Sequence, residues 1–143
     1  MASLVIRPRR SLLTASVLSA VLLVAAVVGW VAIPPDTRDL FTPLQQLTLV
    51  LCVLVMLGLM MSIGLSTVRA DAGGLTFRNG LRTHHLDWPE VTGFRFTEND
   101  PWAYVLTEGE PDQRALLGLQ RTDHARADAA FAALERAWRQ AGA

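Results

Sequence analysis

Hydrophobic and polar positions divide this chain into two unlike halves. Leu12 to Ile33 carries no charged residue, and neither does Leu44 to Val68. Each run exceeds the roughly 20 residues a helix needs to cross about 30 Å of hydrocarbon. Neither shows the polar stripe of a helix lying on a soluble core. Two transmembrane helices are therefore expected, at about 12–33 and 44–68. Ser11, Thr14, Ser16 and Ser19 fit this reading, because their hydroxyls can bond back onto the helix that carries them. Pro34-Pro35 cannot continue a helix, and Pro34 to Pro43 is long enough to reverse the chain, which gives a helical hairpin. Trp30 and Phe41 flank the turn where aromatic side chains favour the water–lipid interface. Gly58 and Gly64, with Ser62 in a Gly58-x-x-x-Ser62 spacing, offer a small-residue face for hairpin packing or for homo-oligomer formation.

Beyond residue 68 the pattern changes. Asp71-Ala-Gly-Gly74 signals a turn. Leu75 to Arg78 alternates apolar and polar, with the period of a strand. Asn79-Gly80 follows at once and predicts a type I′ hairpin, with Leu81 to Trp88 as the returning strand. Pro89 ends that strand, since it removes a ladder donor. Thr92–Thr97, Trp102–Thr107 and Arg114–Leu119 read as three further strands, separated by turns at Glu98–Pro101 and Glu108–Asp112. From Thr122 the period becomes 3.6. Ala127, Ala130, Phe131, Leu134, Trp138 and Ala141 form one stripe, and Arg126, Asp128, Glu135, Arg136 and Arg139 oppose it. Thr122 or Asp123 suits the N-cap. Residues 1–68 thus form a tail and two membrane helices. Residues 69–143 form an α+β soluble domain, a bent antiparallel sheet closed by a C-terminal amphipathic helix. Trp88, Trp102, Phe94, Phe96 and Trp138 are expected in its core.

Charge adds orientation. The net charge is zero, but residues 1–69 hold five arginines against two aspartates, and the remainder eight arginines against eleven acids. Arg7, Arg9 and Arg10 precede the first span, Arg69 follows the second, and the intervening loop nets one negative charge. The positive-inside rule places both termini and the domain in the cytoplasm. An acidic domain argues against nucleic acid as a partner. The single cysteine, Cys52, lies within an apolar run, so neither a disulfide nor a thiol metal site is expected within one chain.

Asp71, Gly74-Leu75, Arg78-Asn79-Gly80, Arg82, Trp88, Glu90-Val91 and the terminal amphipathic helix resemble the bacterial PH domains of small actinobacterial membrane proteins, some catalogued as low-molecular-weight protein antigens. Two membrane helices ahead of the domain are similar to that layout. The resemblance implies a PH-like barrel, a cell-membrane location and no catalytic residues.

Candidate chemistry is sparse. His84 and His85 are adjacent in a strand and point to opposite faces, so they do not share a metal. His85, Asp87 and Glu90 include no nucleophile in a recognisable setting and read as solvated turn residues. No metal, catalytic residue or cofactor is expected. Arg78 and Arg82 flank the hairpin turn, where PH domains that bind lipid hold an inositol phosphate, and they are the candidate contacts for a lipid or a partner. The expected function is a non-enzymatic, membrane-anchored interaction module that binds a membrane-protein partner through an open sheet edge or the groove between sheet and helix. The alternatives are a sensor of anionic lipid head groups and an accessory subunit of a membrane complex.

Overall fold

Three residues near the N-terminus decide how the chain is threaded. The computed structural model describes residues 2–109 and 111–142; Met1, Ala143 and Glu110, in the turn read at Glu108–Asp112, lie outside the described residues. Leu4–Ile6 forms strand β1, then come helix α1 (Arg9–Ala32), a short helix α2 (Pro35–Arg38) and helix α3 (Pro43–Gly64). Six more strands follow: β2 (Thr67–Asp71), β3 (Gly74–Asn79), β4 (Arg82–Leu86), β5 (Val91–Arg95), β6 (Trp102–Thr107) and β7 (Gln113–Gln120). Helix α4 (Ala125–Gly142) closes the chain. Two antiparallel sheets result, in the orders β1-β2-β3-β4 and β5-β6-β7. Because Ile6 pairs with Val68, the whole helical hairpin is the connection between the first two strands of one sheet. Residues 4–6, ahead of the first long helix, are therefore part of the sheet. Leu4-Val5-Ile6 is too short to show a period, and only its pairing with β2 makes it a strand.

Helices α1 and α3 are both long and apolar enough to cross a membrane, with mean hydropathy 2.5 each. They run antiparallel. At one end Trp30 meets Phe41 edge-to-face at 5.5 Å. There the Arg38 guanidinium donates to the carbonyls of Val31 (3.1 Å) and Ile33 (2.9 Å), which satisfies acceptors that a helix C-terminus leaves open. Thr42 and Gln45 form a capping box at the start of α3. At the other end a Cβ on Gly64 would lie 3.1 Å from Ala15 Cβ and Leu12 Cα, so Gly64 is the close-packing glycine. Gly58 faces open space, with nothing within 4 Å, and the Gly58-x-x-x-Ser62 spacing does not form the hairpin seam. Ser16 bonds back to the Leu12 carbonyl at 2.8 Å, as hydroxyls in such helices do, whereas Ser19 has no partner among the described residues.

The second helix ends at Gly64, short of Val68. Thr67 and Val68 are β-branched and suit a strand, and Val68 is wholly buried in the domain core. Only Leu65 and Ser66 link helix to strand. Around Val68 the core gathers Ile6, Leu75, Phe77, Leu86, Trp88, Val105, Leu116 and Leu119 from both sheets. The sheets meet where β7 crosses β2. A Cβ on Gly118 would sit 2.7 Å from the Thr67 carbonyl carbon, so only glycine permits that backbone approach. Asn79 sutures the same junction, donating to Ala115 O (2.6 Å) and accepting from Leu117 N (3.1 Å).

Helix α4 covers one open end. Phe94 meets Phe131 and Trp138 edge-to-face, and Phe96 packs on Phe131. Leu134 and Ala127 are buried as the stripe predicts, but Ala137 takes the buried place given to Ala141, which is exposed. Trp102 is half-buried rather than central. The hairpin turn also differs from expectation. Asn79 pairs with Arg82, so its central residues are Gly80 and Leu81, and only Gly80 has positive φ, at 63°. Glycine in the first central position makes a type II′ turn.

Candidate functional site

The two arginines singled out beside the hairpin turn do not form one site. Asn79 pairs with Arg82 and Arg78 with Thr83, so Arg78 and Arg82 face opposite sides of the ribbon. Arg78 is half-buried and donates through Nε to the Gly80 carbonyl at 2.8 Å, which stiffens the turn. Arg82 is exposed.

The histidines and acids nearby have local duties. His84 is half-buried and stacks on Phe77 at 5.1 Å. His85, on the other face, bonds Thr76 Oγ1 (2.8 Å) and Asp87 (3.2 Å). The Asp87 amide donates to Glu90 at 2.8 Å and starts the 3-10 turn Trp88–Glu90. Among the described residues no three His, Cys, Asp or Glu side chains are grouped to hold a metal ion. At the far end of the barrel Asp100 accepts from the Thr97 amide and hydroxyl, each at 2.8 Å. These bonds, the backbone one foremost, with Arg95 and Arg121 nearby, hold its carboxyl below the usual range, against the partly opposing effect of burial.

A different set of residues lines a groove of about 600 Å³ between β1, the end of β7 and α4. Its apolar floor is Leu4, Ile6, Leu119, Ala127 and Ala130, and its rim carries Arg7, Arg9 and Arg126. Strand β1 has a sheet partner on one side only, so an unpaired strand edge borders the cleft. The polar groups at its base are already committed. Asp123 is buried and accepts from the Arg10 amide at 3.1 Å, which caps the N-terminus of α1 from the far end of the chain. Helix α4 begins only at Ala125, so neither Thr122 nor Asp123 stands at the N-cap place expected of them, and both belong to the 3-10 turn Arg121–Asp123. Gln120 accepts from the Ser11 hydroxyl and donates to Leu117 O at 2.8 Å. His124, which follows, has φ of 47°, an uncommon conformation for a residue with a Cβ. Arg7, Arg9 and Arg126 are exposed and enter no ion pair among the described residues. Three guanidinium groups against one engaged carboxylate leave the groove electropositive, although the domain as a whole is acidic.

Sequence reasoning used Arg7 and Arg9 only to orient the helices and placed Arg126 on a solvated helix face. The Arg7-Pro8-Arg9-Arg10 cluster was the available signal, but nothing local ties it to residue 126. A family model described as a bacterial PH domain matches residues 66–139, a little over half of the chain. The match begins where α3 ends and leaves out β1. No curated protein and no solved structure matches.

Proposed function

The chain belongs to the bacterial PH-domain family, and we propose that it works as a non-enzymatic, membrane-anchored interaction module that docks a protein partner in the arginine-rimmed groove. In this reading α1 and α3 cross the bilayer. Arg7, Arg9 and Arg10 hold the N-terminal end of α1 on the cytoplasmic side, and the domain sits against that surface. The observation that carries the proposal is the groove, where an unpaired strand edge, an apolar floor and three uncompensated guanidinium groups converge. An edge of that kind accepts an added strand, with main-chain hydrogen bonds for affinity and side-chain pockets for selectivity. Acidic side chains on the incoming segment would answer the arginines. Arg9 opens α1, so the groove lies beside the membrane, and a membrane protein with a juxtamembrane acidic segment fits it best. Such a partner is also what an accessory subunit would need.

The nearness of Arg7 and Arg9 to the head-group layer favours one second reading, in which the phosphate of an anionic lipid occupies the rim. A photo-cross-linking residue at Val5, which is 50% exposed beside the groove, separates the two in native membranes. A discrete protein adduct is expected, lost in Arg126→Glu. Adducts with lipid alone would favour the second reading, and protein adducts indifferent to Arg126→Glu would remove the groove from the function.

A further inference from the structure

The β3–β4 turn carries a feature that the groove does not explain. Leu81, at its tip, is 81% exposed, more than any other large hydrophobic residue among the described residues. Two-residue hairpin turns draw on Gly, Asn and Asp for backbone reasons, and a type II′ turn asks nothing of leucine in its second place. The turn is also pinned. The Gly80 amide donates to Ser66 Oγ at 3.1 Å, and the position of a Cβ on Gly80 lies 3.4 Å from Ser62 Oγ. Arg78 holds the Gly80 carbonyl from the other side.

Those contacts set the height of the tip against the helices. The charge-free run of α1 begins beyond Arg10, and Leu12 packs on Gly64 of α3. That level marks the boundary between water and hydrocarbon for both helices. Ser62 lies two residues further into α3, about 3 Å along its axis, so the turn touches the helix on the hydrocarbon side of the boundary. We infer that the β3–β4 turn is a third membrane contact, inserting Leu81 into the bilayer interface beside α3 with Arg82 in the head-group layer. An apolar tip flanked by an arginine is the arrangement that interfacial anchors use. Together with the two-residue link and strand β1, it fixes how the domain, and with it the groove, stands on the surface. The inference rests on the reading that α1 and α3 span the bilayer.

The test uses the full chain with Cys52→Ser, reconstituted in vesicles of phosphatidylcholine and phosphatidylglycerol. Single cysteines carrying a nitroxide are placed at Leu81, at Leu51 within α3, and at Ala72, in the turn at the opposite end of β3. Power saturation then compares access of oxygen with access of a water-soluble nickel chelate. The label at 81 is expected to shift well toward the lipid-like ratio at 51 and away from the aqueous ratio at 72. A label at Thr83 is expected to move toward water when Leu81→Asp is added. If 51 is lipid-like while 81 matches 72, or if Leu81→Asp leaves the label at 83 unmoved, the insertion is wrong and the spanning helices stand. An aqueous label at 51 overturns both.

Discussion

The helical hairpin and the barrel spend their apolar residues in opposite ways. In the hairpin the apolar stretches of α1 and α3 are hardly buried within the chain, and leucines and valines are exposed along both helices. In the barrel Phe77, Leu75, Leu116 and Leu134 are sealed from solvent. The hairpin satisfies its own backbone by helical hydrogen bonds and by caps at its ends. The barrel gains its stability from side-chain burial, at about 25 cal/mol for each Å² removed from water. One region is therefore built to tolerate changes of side-chain volume and the other is not. They are nevertheless joined more closely than a domain on a tether. Strand β1 enters the sheet before the hairpin begins, Asp123 caps α1, and Ser66 holds the hairpin turn at the foot of α3.

The sharpest way to break this contrast is to add the same volume to a glycine in each region. Gly118→Ala drives a Cβ into the β2 backbone and is expected to cost about 3 kcal/mol. The matching change Gly58→Ala meets open space inside α3, where alanine is the better helix former, and should cause no loss of stability and a gain of at most about 1 kcal/mol. Thermal unfolding of the full chain in detergent, followed by tryptophan fluorescence, checks both, and equal losses would refute the contrast. A smaller effect probes the joint. Asp123→Ala removes the cap that the domain supplies to α1 and is expected to cost about 1 kcal/mol, with Asn restoring part of it. Hydrogen exchange of the Arg10 amide should rise in the alanine variant; an unchanged rate would mean that the carboxylate does not hold the helix end.

The smallest effect concerns acid. Asp100 is held below its ordinary value of 3.8 in the folded barrel, so its ionised form favours folding. That contribution is complete above 3.8 and fades as pH falls through the lowered folded value. A melting-temperature series taken downward from pH 5 should therefore fall less steeply in Asp100→Asn, and parallel curves would show that the Thr97 bonds do not favour the carboxylate.

Much of this architecture is local and so could be read along the chain. Charge-free runs, the Pro34-Pro35 stop, the Asn79-Gly80 hairpin and the 3.6 period of α4 are each set within a few residues of one another. The aromatic set Phe94, Phe96 and Trp138 was legible for the same reason, since strand and helix periods decide which way a side chain points. Arg78 and Arg82 were harder. They stand four apart around a turn, and only the register, Asn79 against Arg82, puts them on opposite faces. The turn type depended on that register too.

From the sequence alone came the two apolar helices, the strands from β3 to β7 and the final helix in their order, and the resemblance to a bacterial PH domain; β2, read as the end of the second span, was missed. Tertiary structure alone decided that Leu4–Ile6 is a strand, that Asp123 serves α1 instead of α4, and that Arg7, Arg9 and Arg126 rim one groove. It also decided that Gly80, at the tip of the β3–β4 hairpin, stands beside Ser62 in the last turn of α3. The physical reason is distance along the chain. The Arg10–Asp123 bond spans 113 positions, and the groove joins residues 4–9 to residues 118–130. Hydrophobic periodicity reports which face of an element is apolar, but not which distant element will come to cover it.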